Sequence, residues 1–316
     1  MTSVVETGQR TVERGSPFLG VAGPLLGGDF EGRLEAVRRV FDQLDVSETT
    51  RSQYKREVVP FLTFLDRSGG WFSPNLLLDW KRFLERRKDI GPGTKNKYLT
   101  VARVLLRELH RLYPNHVPDL ISGVKSFRVT KVHKRTPLTD EDVKTVWDYL
   151  NSQGKSQLRT KVIVGLMYYQ GLRRVEVSRL QIEDLNAHEK TLEVLGKGRD
   201  DKESVDLHPR MVEILLDYLK TTGLRSGWLF PSKKNLGMGL SPNMVWRLVM
   251  GVHRELGITK NVHSYRKVFT SRLIQSGMNL LDVRTYTRHR DITQLQTYYD
   301  RIERTKTLPL YYQSFK

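Results

Sequence analysis

The sequence contains no cysteine. Disulfides, thiolate zinc sites and a cysteine nucleophile are therefore excluded. Long apolar runs are also missing, since no stretch approaches the roughly 18 consecutive apolar residues that a membrane-spanning helix needs. The first ten residues have no basic segment followed by an apolar core, so we expect no signal peptide. Together these absences lead us to expect a soluble, cytoplasmic protein without a membrane partner.

The motifs that commonly hold nucleotides and metal ions are absent as well. We find neither a GxxxxGK[ST] phosphate-binding loop nor an HExxH zinc motif, and no cluster of residues with metal-ligand spacing. We therefore predict that the protein uses no metal ion and no other cofactor.

Negative charge is in short supply. The chain has 53 Lys and Arg residues against 35 Asp and Glu residues, which gives a formal net charge of +18. Such a field favours a polyanionic partner, because neutralised phosphates supply much of the affinity for nucleic acids. A basic protein of a membrane surface, or the cargo of an exporter, would share this composition. The basic residues form clusters rather than one tail, however, and this favours a nucleic acid.

Length and local composition divide the chain into four parts. With 316 residues it has room for two domains. Residues 1–29 are rich in glycine, proline and serine and are predicted to form a flexible leader. Residues 30–123 are predicted to form a helical DNA-binding domain, and residues 124–136 a basic interdomain linker. Residues 137–316 are predicted to form the second domain.

In the first domain, apolar residues at helical spacing predict four helices. One begins at Ser47 and continues through Pro60, where we expect a kink. Another begins at Ser73 with Pro74 in its first turn, and a third begins at Pro92.

The second domain is predicted to start with a helix at residues 140–142, whose acids suit the positive end of a helix dipole. Residues 191–195 and 203–207 alternate like strands on either side of Gly196-Lys197-Gly198, which is typical of a hairpin. From Ser241 onward the pattern is again helical. We therefore predict a fold that is mainly α with a small antiparallel β-sheet.

The predicted linker lies in a segment, residues 120–139, that contains no acid. A solvated linker would usually be mixed in charge, so we expect this one to lie along a phosphate backbone. The residues to which we assign DNA binding are Lys125, Arg128, Lys131, Lys134 and Arg135.

The C-terminal half also carries the residue types that are needed to attack a phosphodiester with a tyrosine. Two guanidiniums can share the charge of a pentavalent phosphorus, because their planar forks match phosphate oxygens. Imidazoles or a lysine can give a proton to the leaving oxygen near neutral pH. At about 100° per residue, His263, Arg266 and Thr270 share one face of a helix, so we expect a polar face with an apolar back.

A second arginine, Arg173, stands just after a Gly-Leu turn that follows a strongly apolar segment. That position is the end of an element, where polar groups can converge on a site. Glu176, three residues further on, is expected to orient a neighbouring basic group.

Five motifs resemble those of the tyrosine recombinase (phage integrase) family, in that family's order and approximate spacing. They are residues 171–176 (GLRRVE), residues 196–198 (GKG), the pair His263 and Arg266, His289, and Tyr298 nine residues later. The resemblance extends from about residue 32 to the C-terminus. It implies a two-domain C-shaped clamp, in which a helical, SAM-like core-binding domain precedes an α/β catalytic domain.

The resemblance also implies the chemical steps. Tyr298 would be the nucleophile, forming a 3′-phosphotyrosine and freeing a 5′ hydroxyl. Arg173 and Arg266 would clamp the non-bridging phosphate oxygens, and Lys197 would protonate the leaving 5′ oxygen. Because the covalent bond stores the energy of the broken phosphodiester, neither ATP nor a metal would be required.

Four more residues take implied roles around these groups. His263 would assist proton transfer to or from Tyr298, and His289 would hydrogen-bond the phosphate. Glu176 and Lys267 are the implied supporting residues.

Three positions depart from the family pattern. Lys267 follows the second arginine, where the family usually has histidine. Residues 287–289 (TRH) replace Leu-Gly-His, and residues 294–295 (QL) replace a Thr-Thr pair. The choice of Tyr298 over the adjacent Tyr299 therefore rests on the nine-residue gap from His289.

The implied function is that of a site-specific DNA recombinase that exchanges strands through a Holliday junction. It would act on double-stranded DNA as a homotetramer on two sites and be a monomer or dimer off DNA, with an accessory or directionality protein as a further partner. In a prokaryote it would be nucleoid-associated. Integration or excision of a mobile element and the resolution of dimers both remain open as its purpose. Because the leader is short, we expect no arm-site-binding domain.

Two other functions share many of these residues. A type IB topoisomerase has nearly the same catalytic set, but the helical domain ahead of the catalytic domain argues against it. A DNA-binding relative without chemistry would usually have lost one of the six catalytic groups, and all six residue types are retained here.

Overall fold

A computed structural model describes residues 29–68, 73–114, 117–129, 137–196, 198–235, 237–289 and 291–314. The chain divides into two compact units, Met1–Thr130 and Lys131–Lys316. Several predicted features lie outside the described residues. They are the leader (except Asp29), the candidate catalytic residue Lys197, and the basic residues Lys131, Lys134 and Arg135. Within the described ranges, no helix is both long and apolar enough to cross a membrane.

The described part of the first unit holds five helices around one apolar core. They are α1 (Phe30–Asp42), α2 (Glu48–Glu57), α3 (Val59–Ser68), α4 (Leu76–Arg86) and α5 (Pro92–Leu112). Aromatic and aliphatic side chains from all but α2 fill that core, with Phe41, Phe61, Trp80 and Leu105 almost completely buried. This burial is the main stabilising contribution, because α2 and its neighbours are too short to be stable helices alone.

Proline and capping residues decide where these helices begin. Ser47 caps α2 as predicted, since its hydroxyl accepts a hydrogen bond from the backbone N–H of Thr50. The expected kink at Pro60 is instead a break, with α2 ending at Glu57 and α3 beginning at Val59. Proline lacks an N–H, and this is costly within a helix but harmless in its first turn. The helix predicted at Ser73 starts only at Leu76, so its proline lies in the preceding turn.

Residues 124–127, which the sequence assigns to the linker, lie against α5. The side-chain amide of Asn96 donates to the carbonyl oxygen of Phe127 over 2.9 Å and accepts from its N–H over 2.8 Å. Arg103 donates to the hydroxyl of Ser126 over 3.0 Å and to the carbonyl oxygen of Val124. These bonds pair backbone groups that no helix or strand would otherwise satisfy.

The second unit is mainly helical, with one small sheet. Its helices are α6 (Asp140–Ser152), α7 (Leu158–Tyr169), α8 (Arg174–Val177), α9 (Pro209–Thr222), α10 (Pro242–Glu255), α11 (His263–Gln275), α12 (Leu280–Thr287) and α13 (Thr293–Gln313). The strands β1 (Leu185–Asn186), β2 (Thr191–Leu195) and β3 (Lys202–Asp206) form an antiparallel sheet in the order β1-β2-β3. The predicted fold class is therefore confirmed, with the third strand starting one residue earlier than expected.

The helix α7 is the central element of the second unit. Its residues Val162, Ile163, Val164 and Leu166 are completely buried, and the helix contacts α6, α9, α10 and α11. A helix that is apolar on every side must be covered on every side. The backbone that leaves α7 therefore starts from a rigid position, and that backbone leads directly into the candidate site.

We expect Asn96→Ala to destabilise the protein by about 1–3 kcal/mol, because two backbone groups of Phe127 lose their partner. The free energy of unfolding of the full chain, measured by denaturant titration, checks this. Thr100→Ala, at an exposed position on the same helix, is the control and should change that free energy by less than about 0.5 kcal/mol. Equal effects of the two substitutions would contradict the role given to Asn96.

Candidate active site

The candidate site begins at a turn that only glycine suits. Gly171 has a φ of 61°, and an added Cβ would lie 2.4 Å from Cδ1 of Phe269 on α11. Glycine reaches this left-handed conformation without strain and leaves room for the ring. The turn ends α7 and delivers Arg173, in an extended conformation, as the residue that caps α8.

A buried carboxylate, Glu176, organises the basic residues next to this turn. Its Oε1 accepts from Nη1 of Arg173 over 2.6 Å, and its Oε2 accepts from the backbone N–H of Arg173 over 2.8 Å. Nη2 of Arg288 donates to the same Oε2 over 3.1 Å. Burial alone would raise the pKa of Glu176, but the charges of Arg288 and Arg173 and the hydrogen bonds outweigh it and lower that pKa. Glu176 is therefore ionised at neutral pH and orients both arginines.

The other predicted arginine, Arg266, is buried. Only 3% of Arg266 and 1% of Thr270 are exposed, because α11 is covered by α7 on one side and by α12 and α13 on others. The expected apolar back is present, since Tyr265 and Val268 are buried, but most of the polar face is covered as well. Its helical periodicity was read correctly, but the neighbours of the helix decide which faces are buried.

The guanidinium of Arg266 is held by the ends of two helices. It donates to the carbonyl oxygen of Gly171 over 2.5 Å and to the carbonyl oxygen of Thr287. The carbonyl of Thr287 lies at the C-terminus of α12, where the partial charge is negative and stabilises a cation, and that of Gly171 lies in the turn that follows α7. Burial, together with the charges of Arg173 and Arg288, lowers the pKa of Arg266 to about 9, so it stays charged at neutral pH.

The hydrogen bonds of His289 identify which ring nitrogen carries the proton. Nδ1 lies 2.7 Å from Oγ1 of Thr287, and that hydroxyl donates to the carbonyl oxygen of Val283 over 2.6 Å. Because the hydroxyl proton is used in this way, Oγ1 accepts from His289, and the proton must be on Nδ1. Burial and the charges of Arg266 and Arg173 lower the pKa of His289 to about 4. The ring is therefore neutral at pH 7, with the lone pair of Nε2 available.

Tyr298 lies on α13, half-buried against Ile274 and Val283. Burial raises the pKa of its hydroxyl, and the charge of Arg266 acts in the opposite direction. The neighbouring Tyr299 is 37% exposed. At neutral pH the Tyr298 hydroxyl is therefore protonated and needs an acceptor before it can act as a nucleophile.

The other predicted residues take varied positions. His263 is exposed at the start of α11, and it is close enough to His289 for its charge to lower the pKa of that ring. Lys267 is half-buried on the same helix. Lys125 and Arg128 belong to the first unit and are exposed there.

Two residues of this site were not predicted from the sequence. Thr287 and Arg288 appeared there only as departures from a family pattern, yet one holds the ring of His289 and the other pairs with Glu176. An arginine in place of a glycine next to a candidate histidine was the available signal. Its partner stands 112 residues away in the sequence, so spacing could not identify it.

The arrangement is suited to bind an anion. Arg173 and Arg288 pair with the carboxylate of Glu176, and Arg266 is close enough for the charges of all three to act on it, so three guanidiniums gather in a largely buried place. Electrostatic attraction is stronger there than in water, and arginine forks match phosphate oxygens. Among the residues that the structure describes, no group of three or more His, Asp or Glu side chains is placed to hold a metal ion.

Comparison with known proteins identifies the family of the chain. The model of the phage integrase family matches residues 136–304, more than half of the 316 residues. The chain belongs to the phage integrase family. Its activity is accordingly that of a tyrosine recombinase, an enzyme of site-specific recombination, and the resemblance found in the sequence is confirmed.

The relatives span most of the chain. The tyrosine recombinase XerA of Pyrococcus furiosus is 28% identical over 273 residues, which cover 79% of this chain and 90% of XerA. The tyrosine recombinase XerD of Listeria monocytogenes is 24% identical over 269 residues, which cover 80% of this chain and 88% of XerD. The solved structure of the Tn1549 transposon integrase with transposon right end DNA covers 86% of this chain and 99% of that chain, with a TM-score of 0.63 and 15% identity. At that identity the solved structure supports the fold alone.

We expect Gly171→Ala to destabilise the second unit by more than the cost of the left-handed backbone alone, which is about 1 kcal/mol. The added methyl group must also displace the Phe269 ring. Gly223→Ala is the matched control, because Gly223 has a φ of 70° and nothing within 4 Å of the added Cβ. Denaturant unfolding of both variants measures the difference, and equal losses would show that the contact with Phe269 does not matter.

We expect the free protein to hold His289 as a neutral ring with its proton on Nδ1 and a pKa near 4. Nitrogen NMR of histidine-labelled protein, assigned with a His289→Gln variant, measures both properties. Thr287→Val keeps the side-chain shape but removes the acceptor, and it should release the ring into a mixture of tautomers. A proton found on Nε2 in the unchanged chain would contradict this assignment.

Proposed function

We propose that the protein cleaves and rejoins DNA strands through a covalent 3′-phosphotyrosine on Tyr298. The observation that carries this proposal is the gathering of Arg173, Arg266 and Arg288 around the carboxylate of Glu176, within electrostatic reach of Tyr298. A scissile phosphate bound there would be polarised by guanidiniums while a tyrosine oxygen attacks it. The reaction exchanges one phosphodiester for another, so the same groups serve rejoining in reverse.

The arginines would clamp the phosphate with the donors that the protein leaves available. Arg173 uses Nη1 on Glu176, and Arg266 uses one N–H of each terminal nitrogen on backbone carbonyls. A guanidinium has five N–H donors, so both side chains retain donors for phosphate oxygens. Their positions are set by a helix cap and two helix ends, which means that little reorganisation is required when the phosphate arrives.

His289 is suited to accept the proton of Tyr298. In its neutral form it offers a lone pair on Nε2, and the charge of Arg266 acts on both residues. Once protonated, the same nitrogen would donate to the phosphate, which is the role the resemblance implies. An anion in the site would raise the low pKa of His289 and favour that transfer. His263, whose charge also acts on His289, would serve as a second proton carrier.

Lys197, which stands between two glycines in the segment that connects β2 and β3, would protonate the leaving 5′ oxygen. Support comes from the start of this segment, where Nη1 of Arg179 donates to the carbonyl oxygen of Gly196 over 3.3 Å. Arg179 stands just after α8, so this bond connects the segment to the helix that Arg173 caps. Lys267, half-buried on α11, would add a supporting contact to the phosphate.

The partner would be double-stranded DNA, held also by the first unit acting as a helical core-binding domain. Exposed Lys125 lies within the segment that Asn96 and Arg103 attach to α5, and exposed Arg128 follows it directly, so their position on a phosphate backbone would be well defined. The remaining proposed contacts are those of the basic segment that follows, Lys131, Lys134 and Arg135. The relatives' solved complexes with DNA support this partner.

Recombination would proceed in a homotetramer on two DNA sites, through a Holliday junction. The last turns of α13 expose apolar side chains that a second copy could cover, namely Leu308, Leu310, Tyr311 and Tyr312. Off DNA the protein would be a monomer or dimer in the cytoplasm, associated with the nucleoid in a prokaryote. An accessory or directionality protein would complete the assembly.

We expect Tyr298→Phe to abolish covalent capture of DNA and to leave DNA binding unchanged, because only the attacking oxygen is lost. The protein is mixed with a partly randomised library of nicked duplexes, denatured, and analysed for protein-linked DNA. Tyr299→Phe is the matched control and should retain the adduct. An adduct that survives in Tyr298→Phe but not in Tyr299→Phe would refute the assignment.

Sequencing of the captured DNA distinguishes the two enzyme classes. An enriched motif supports site-specific recombination, whereas capture without sequence preference would indicate a topoisomerase. Tight binding without an adduct from any variant would favour a DNA-binding relative that has lost its chemistry.

A further inference from the structure

Arg288 adopts a backbone conformation that arginine rarely takes. Its φ is 54°, in the left-handed region, and it follows the last residue of α12. This conformation is unfavourable for a residue with a side chain and persists only where its surroundings enforce it. Lys190, the other described non-glycine residue with positive φ, lies at an exposed hairpin turn, whereas Arg288 is only 8% exposed.

The hydrogen bonds of Arg288 offset only part of the free energy that burying its charge costs. Its Nη2 pairs with Glu176, and its Nη1 lies 3.5 Å from the carbonyl oxygen of Tyr286. Its Nε is buried without a hydrogen-bond partner among the described residues. A buried charge with an unsatisfied donor costs free energy that one ion pair does not fully return. A strained and incompletely paired arginine points to a role in the site itself.

The carboxylate of Glu176 is divided between two arginines. Oε1 takes the guanidinium of Arg173, and Oε2 takes the backbone N–H of Arg173 together with Nη2 of Arg288. Arginine and carboxylate readily form two parallel hydrogen bonds when nothing else holds the carboxylate. Without Arg288, only the backbone N–H of Arg173 would hold Oε2, and Glu176 could turn more readily toward such a bidentate pair. That pair would occupy donors of Arg173 that a phosphate requires.

Charge leads to the same conclusion. One carboxylate shared by two guanidiniums neutralises each of them only in part, so Arg173 keeps more attraction for an anion. The guanidinium of Arg288 already directs Nη2 to Glu176 and Nη1 to the carbonyl oxygen of Tyr286. The route from Arg288 to a bound phosphate that the hydrogen bonds show therefore passes through Glu176.

We propose that Arg288 is a positioning residue for Arg173, holding Glu176 so that the remaining donors of the Arg173 guanidinium face the scissile phosphate. This inference rests on the proposed function, because it needs a phosphate at Arg173. The residue occupies the place where the family usually has glycine, and it is a property of this chain rather than of the shared chemistry.

The test uses Arg288→Gly, which relieves the backbone strain and removes the side chain. The full chain is mixed in excess with the partly randomised library of nicked duplexes, and the rate of covalent adduct formation is measured in a single turnover. Affinity for the same library and thermal unfolding are measured in parallel. Lys190→Gly is the matched control, because it relieves the same backbone conformation at an exposed turn.

We expect Arg288→Gly to slow adduct formation at saturating DNA by about tenfold or more. Misplacing a group that positions the substrate by about 1 Å can lower the rate up to about a hundredfold. Affinity should change by less than about threefold, because it is spread over many phosphate contacts. Lys190→Gly should leave both unchanged. Arg288→Lys should restore only part of the rate, since lysine keeps the charge but lacks the fork.

A double-mutant cycle tests whether the effect passes through Glu176. In a Glu176→Gln background, replacing Arg288 with glycine should change the rate by less than about twofold, because the shared carboxylate is already absent. If Arg288→Gly does not fold, Arg288→Asn takes its place, since asparagine tolerates the left-handed conformation.

The outcomes separate this inference from the proposed function. The role of Arg288 would be overturned if Arg288→Gly left the rate unchanged, or if it slowed the rate equally with and without Glu176. The proposed function would still stand in either case, provided that the unmodified chain forms a Tyr298-dependent adduct. Loss of thermal stability with no loss of rate at saturation would mean that the pair is structural only, and that would overturn the inference too. Absence of any Tyr298-dependent adduct would overturn the proposed function and this inference with it.

Discussion

The carboxylate of Glu176, which is fully buried, is the group on which the arrangement of the site depends. It bonds the side chain and backbone of Arg173 and pairs with Arg288. Removing one partner of a buried ion pair leaves an uncompensated charge, which usually costs about 3–5 kcal/mol. No basic residue of this cluster can therefore be considered alone. The carboxylate allows several positive charges to stand close together while their sum still favours an anion.

The backbone supplies the second source of order. Gly171 and Arg288 both adopt left-handed conformations, one after α7 and the other after α12. The two helix ends bring the carbonyl oxygens of Gly171 and Thr287 to the same guanidinium, that of Arg266. The carbonyl of Thr287, in the last turn of α12, has no partner within its own helix, and that of Gly171 lies just beyond α7. The charged group and the unsatisfied helix ends therefore stabilise each other, and neither is left unpaired in the interior.

These two features also determine the protonation states. Burial, together with the positive charges of Arg266 and Arg173, lowers the pKa of His289, so its ring is neutral. The hydroxyl of Thr287 then decides that the available lone pair is on Nε2. The same burial raises the pKa of Tyr298, so at neutral pH the tyrosine hydroxyl keeps its proton while the neutral ring of His289 can accept one. An incoming phosphate would offset the positive charge and shift the balance toward a protonated histidine.

Local chemistry in the sequence determined much of this protein. Some features depend only on neighbours within a few residues, so their positions could be predicted. These are the cap at Ser47, the acidic residues at the start of α6 and the alternation of β2 and β3. The order of arginines, histidines and tyrosine was likewise sufficient to recognise the family. Tertiary structure decided the rest, because it depends on contacts between distant segments. Arg266 meets Gly171 across 95 residues, and Arg288 meets Glu176 across 112. Periodicity places residues on one face of α11, but only the helices packed around it decide that the face is buried.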